Sequence, residues 1–123
     1  MEGKEKGDMK KVLGSLNMDM VLSVDHHPVP GETIIGDGIT YHPGGKGANQ
    51  AYAVGKLGGD VRIIGCVGWD NNGMILTENL AQAGVDTTAI NRMPEAPTGM
   101  AIIDVDKKGD NSIIVISGAN ACL

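Results

Sequence analysis

Apolar and polar residues alternate along this chain in short blocks, and the period changes from block to block. Residues 11–16 gather Val12, Leu13 and Leu16 into a short buried strand, and 20–24 form a second apolar run. Pro28-Val29-Pro30-Gly31 forces a turn. Residues 33–41 are extended but broken by Gly36 and Gly38, which suits a bent strand at a sheet edge. The period then becomes helical over 48–57, where Ala51, Val54 and Leu57 share one face and Gly58-Gly59 supplies the stop. Residues 61–67 are a compact apolar strand. Residues 73–83 form a second helix, with Leu76, Leu80 and Ala83 on one face and Gly84 as its C-cap. Two β-rich runs, 99–105 and 112–117, flank Asp106-Lys107-Lys108-Gly109-Asp110 and predict a hairpin.

Strand–helix–strand alternation predicts an α/β fold, with a parallel central sheet flanked by helices. The extended inserts at 33–41 and 99–117 need not belong to that sheet. No internal repeat or low-complexity segment interrupts the pattern.

Composition narrows the picture. The 123 residues suffice for one modest domain, and with 41% hydrophobic but 2% aromatic residues and no Phe, the core is built from Val, Ile, Leu, Ala and Met. A formal charge of −5 without a basic stripe argues against nucleic-acid binding, and the lack of aromatics removes stacking platforms. Cys66 and Cys122 form no paired motif and read as reduced thiols of a cytoplasmic protein. No apolar run approaches membrane-spanning length, and the charged start is not a secretory signal. Residues 1–10 read as a polar extension, leaving 11–123 as the folded part.

The candidate chemistry centres on Gly44-Gly45-Lys46-Gly47-Ala48-Asn49-Gln50. Its glycines let the backbone approach a ligand, and the following helix points its first N–H groups at that ligand. The alternative is a plain turn. Lys46 is not a P-loop lysine, because Thr40 and Gly47 stand where that motif needs Gly and Ser or Thr. The dinucleotide fingerprint fails as well, with Gln50 in place of its third glycine. The loop therefore fits the other substrate, while Lys46 alone reads equally well as a solvated lysine. Asn17 and Asp19 follow the first strand two positions apart, so on an extended chain both point the same way. Ligands of open α/β sheets bind at such strand ends. A carboxylate beside an amide suits a vicinal diol, though both residues could simply cap a turn. His26, His27 and His42 lack metal-ligand spacing and read as loop residues. Asp70 reads as a helix N-cap, and the seven Met residues as core filler.

Together these motifs resemble the amino-terminal part of the ribokinase family of carbohydrate kinases, which also holds fructokinases and adenosine kinase. The resemblance runs from Val12 to Leu123. It is carried by Gly14-Ser15-Leu16-Asn17-Met18-Asp19, Pro30-Gly31-Glu32-Thr33, Gly44-Gly45-Lys46-Gly47-Ala48-Asn49-Gln50-Ala51, Gly68-Trp69-Asp70-Asn71-Asn72-Gly73, Thr98-Gly99 and Ser117-Gly118-Ala119-Asn120. It implies a ribokinase-like fold and ATP-dependent phosphorylation of D-ribose at its 5-hydroxyl. Asn17 and Asp19 would bind sugar hydroxyls, and Gly45, Lys46 and Asn49 would hold the sugar from the glycine-rich side. Segments 33–42 and 99–117 would form a small β-sheet lid that also joins two subunits as a homodimer.

Members of that family are more than twice as long. Their Gly-Ala-Gly-Asp run, whose aspartate is the base and whose glycines hold the transferred phosphate, does not occur here. The Asn-x-x-Glu motif linked to Mg2+ is also missing, as are the ATP pocket and the loop for a monovalent cation such as K+. The resemblance thus implies the sugar-binding half of a kinase, inactive by itself, with no catalytic, cofactor-binding or metal residue of its own. The rival expectation is a non-catalytic sugar-binding or dimerisation module, or a kinase of another sugar or nucleoside.

Overall fold

The computed structural model describes residues 9–123; residues 1–8, most of the predicted polar extension, lie outside the described residues. Three strands form a parallel sheet: β1 (Lys10–Leu13), β4 (Val61–Gly68) and β5 (Ile90–Met93), in the order β1-β4-β5. Four others form a second sheet: β2 (Asn17–Ser23), β3 (Gly38–Gly44), β6 (Gly99–Val105) and β7 (Asn111–Ile116), in the order β3-β2-β6-β7. Within it β2 runs parallel to β6, while β3 and β7 are the antiparallel edges. Helices α1 (Lys46–Lys56) and α2 (Asn71–Gln82) touch each other and pack on β4, and a 3-10 helix (Gly118–Cys122) closes the chain against that strand.

The core follows from the predicted helical and strand faces except at Leu13, 68% exposed, and Leu57, 88% exposed. Leu16, Ile63, Val67, Leu76 and Leu80 are buried together with Ala48, Ala51 and Val61. Burying side chains of this size stabilises by roughly 1.5–3 kcal/mol each. Cys66 is buried, Cys122 is exposed, and both are free thiols.

Element boundaries moved where tertiary contacts override local pattern. β1 ends at Leu13 rather than at residue 16, because Gly14 must pass the start of α1. A Cβ on Gly14 would lie 2.7 Å from the Gly47 Cα. Residues 33–37 are irregular rather than a strand. β2 pairs with β3 from Asn17↔Gly44 to Ser23↔Gly38 and then ends, so the earlier residues have no strand to pair with. Pro43 is accommodated because β3 is an edge. Strand β5 was not predicted: its Ile-Asn-Arg-Met sequence is short and polar in the middle. The Arg92 guanidinium stacks on Trp69, 4.6 Å from the ring centroid, and the indole N–H donates to the Arg92 carbonyl at 3.2 Å. These contacts hold β5 beside the end of β4.

The predicted turns formed. The Glu32 N–H donates to the Val29 carbonyl with Gly31 at φ 84°, and the 106–110 turn closes with Gly109 at φ 86°. Asp106 Oδ1 accepts from the Lys108 and Asp110 N–H groups there.

Candidate functional site

Asn17 and Asp19 lie on one face of β2, while Met18 between them points into the core at 3% exposure. They therefore sit not beyond the parallel sheet but on the first residues of the second one. Both neighbours of Asn17 are glycines: Gly44 across on β3 and Gly99 across on β6. Asp19 is flanked by His42 and Ala101. Its carboxylate lies against Gly44, and any Cβ there would collide with it. Desolvation raises the Asp19 carboxyl above its ordinary value, and nearby His42 only partly offsets this.

The glycine-rich loop brings its own constraints. Gly45 adopts φ 99°, and a Cβ on it would strike the Ser15 carbonyl. It stands at the N-cap of α1, which opens at Lys46, two residues before the predicted start. The Ala48 N–H donates to the Ser15 carbonyl at 3.1 Å and the Asn49 N–H to Gly45 at 2.8 Å. The first of these bonds holds the helix start beside the β1–β2 connection, and the second closes the first turn of the helix. Lys46 and Asn49 are both exposed, and Lys46 forms no ion pair among the described residues.

A cavity of about 260 Å³ opens next to the loop, between β3, α1 and α2, with His42, Gly44, Asn49, Tyr52, Asn79 and Leu80 among its walls. Of the five predicted site residues only Asn49 lines it. Asn17, Asp19 and Gly45 gather instead around the strand ends, so the structure joins three of the predicted positions at one junction and sets Asn49 in the wall of the neighbouring cavity.

Two contributors escaped sequence reasoning. Asn120 accepts from the Leu16 N–H at 3.0 Å and donates to Asn17 Oδ1 at 2.8 Å. The motif 117–120 is visible in the sequence, but a separation of 103 residues hides the contact. Thr98 is the second. Asp70 caps α2 as predicted, accepting from the Gly73 N–H at 2.9 Å, and it also accepts from the Thr98 hydroxyl at 2.6 Å and the Thr98 N–H at 2.9 Å. Burial alone would raise the Asp70 carboxyl, but the Thr98 and Gly73 donors and Arg92 bring it below its ordinary value.

The histidines take other duties. His26 bridges Asp25 at 3.0 Å and Glu32 at 2.8 Å, His27 faces Asp106 at 3.4 Å, and His42 bonds the Thr40 hydroxyl at 3.1 Å. No group of three metal-ligating side chains stands together among the described residues. No helix among them is long and apolar enough to cross a membrane.

A parallel sheet under two helices, continued into a small mixed sheet with a polar junction between them, is the ribokinase-like arrangement. The structure of Arabidopsis thaliana ribokinase complexed with ribose and ATP superposes with a TM-score of 0.84 at 36% identity, over 89% of this chain and 36% of that one. The chain belongs to the pfkB family of carbohydrate kinases, whose family model matches residues 10–123. It is 48% identical to the ribokinase of Haemophilus influenzae, over 91% of this chain and 37% of the relative. With the Bacillus subtilis ribokinase it shares 44%, over 89% of this chain and 37% of the relative. The chain thus spans little more than a third of the length of these relatives.

Proposed function

We propose that this chain forms the sugar-holding half of the acceptor site in a ribokinase-type sugar kinase of the cytoplasm. The whole reaction would transfer a phosphoryl group from ATP to the 5-hydroxyl of D-ribose. The observation that carries this reading is the Asn17–Asp19 pair on one face of β2, with Asn17 set between glycines on both neighbouring strands. An ionised carboxylate accepts from two hydroxyls, and the amide adds a directed bond. Gly45 brings the loop backbone close to Asn17, and Lys46 and Asn49 supply further donors from the start of α1. The ribokinase relatives, one of them solved with ribose and ATP, support the choice of sugar.

The described residues carry no recognisable site for ATP or Mg2+. The glycine loop lacks both nucleotide fingerprints, and no cluster of carboxylates stands together. The reading therefore assigns this chain no step of phosphoryl transfer, which requires donor, metal and acceptor in one place. The four-stranded sheet serves as the lid over the sugar, excluding water that would compete as acceptor. Its edge strand β7, with Ile113, Ile114, Val115 and Ile116 all exposed, meets a second copy of the lid.

Isothermal titration of the chain with D-ribose tests the reading. Heat that saturates at millimolar ribose or below is the expected result; no saturable heat would overturn it. ATP consumption in the presence of ribose is expected to stay at background.

A further inference from the structure

The Asn120 side chain sits where the chain leaves the core for the second sheet, held between the Leu16 backbone and the Asn17 side chain. The Leu16 N–H can only donate, so the Asn120 atom that it meets at 3.0 Å is the amide oxygen. The other end of that amide is then its NH2 group. It spends both hydrogens locally, one on the Leu16 carbonyl at 3.1 Å and one on Asn17 at 2.8 Å. An amide NH2 does not accept, so the Asn17 atom facing it is Oδ1. The Asn17 NH2 group must turn the other way, and it donates to no acceptor among the described residues. Gly99 keeps the space for this arrangement, because a Cβ there would meet both the Asn120 nitrogen and Asn17 Oδ1.

We propose that Asn120 is a positioning residue: through one backbone N–H it fixes the Asn17 amide in one of its two orientations, with the NH2 group outward. The site then presents a donor at Asn17 beside an acceptor at Asp19. That order selects a ligand offering an acceptor and a donor on neighbouring atoms, as two hydroxyls on adjacent carbons do. The inference deepens the sugar-site reading and rests on it for the identity of the ligand, but not for the orientation of the amide.

Side-chain amide hydrogen exchange, followed by NMR on the 15N-labelled chain, tests the orientation without any ligand. The Asn120 NH2 protons are expected to exchange at least tenfold more slowly than those of exposed Asn111, and the Asn17 NH2 protons at a rate near Asn111. Equal rates for Asn120 and Asn111 would overturn the proposal. The ligand arm uses Asn120→Asp, which keeps the shape but replaces the donor by an acceptor. The Asn17 amide then turns its NH2 inward, and the Kd for D-ribose rises by about tenfold, the loss of one hydrogen bond. Circular dichroism checks that the variant is folded. An unchanged Kd in a folded variant sinks the positioning role. If the unsubstituted chain binds no ribose but shows the expected exchange pattern, the sugar reading fails and the fixed orientation stands.

Discussion

The Thr98 hydroxyl donates to Asp70 Oδ1 across 2.6 Å, and the same oxygen atom of Thr98 accepts from the Gly68 N–H at 2.9 Å. One buried side chain thereby ties the end of β4, the start of α2 and the residue before β6 into a single polar knot. Thr98→Val preserves volume but strands the Gly68 N–H and removes a donor from Asp70. A buried unsatisfied group costs about 1–3 kcal/mol. Urea denaturation should show a lower midpoint with an unchanged slope; an unchanged midpoint would mean that the knot contributes nothing.

Asp19 offers a separation of binding from folding. Its folded carboxyl lies above the ordinary 3.8, so the folded chain holds this proton more tightly than the unfolded one. The charge therefore weakens the fold above the raised value, and that penalty disappears as pH falls below 3.8. Sugar binding has the opposite sign, because the protonated form loses acceptor capacity as pH falls through the raised value. Asp19→Asn should leave thermal stability equal or higher while abolishing measurable ribose binding. A variant that loses stability and keeps its affinity would contradict the assignment.

Gly14 and Gly47 meet backbone to backbone, and a Cβ on Gly47 would lie 2.6 Å from the Gly14 Cα. Gly47→Ala forces the start of α1 away from the β1–β2 connection. Overpacking of this kind costs about 1–3 kcal/mol. The shift should also weaken ribose binding, since Gly45 and Lys46 move with the helix. Calorimetry of the folded variant against Gly58→Ala separates the two effects: Gly58 has positive φ but nothing within 4 Å of its would-be Cβ.

The exposed edge strand β7 makes a prediction about assembly. Ile114 is 63% exposed and Val115 60%, on a strand with a free backbone edge. Sedimentation should find the chain dimeric at micromolar concentrations and Ile114→Lys monomeric. A monomeric unsubstituted chain would refute pairing through β7.

Much of this site was legible because its signals are local. Gly45 declares a positive φ that other residues resist, and Asp70 three residues before Gly73 declares a cap. The pairing of Asn17 with Asp19 needed only an extended chain, which β2 provides. What the sequence withheld is long-range. Nothing in 20–24 distinguishes a strand of the central sheet from one in a separate sheet, because a short apolar run suits either. The end of β3 is set by where β2 stops, and β5 exists because β4 offers it an edge and Trp69 a stacking face. Asn120 acts through a fold that brings together residues 17 and 120, which no periodicity encodes.

Asn17 shares its row of the second sheet with Gly44 and Gly99, and that row lies next to the core, whereas the 106–110 turn lies at the far end. Each strand of seven residues reaches roughly 20 Å from it. If the second sheet moves as a lid, this row is the axis about which it would tilt, with a glycine on either side of the asparagine. A tilt of about 10° would carry the distal end of a roughly 20 Å strand through about 3.5 Å and leave Asn17 almost where it was. Asn17 stands on that axis, so its amide would keep its aim whether the sheet above it were raised or lowered.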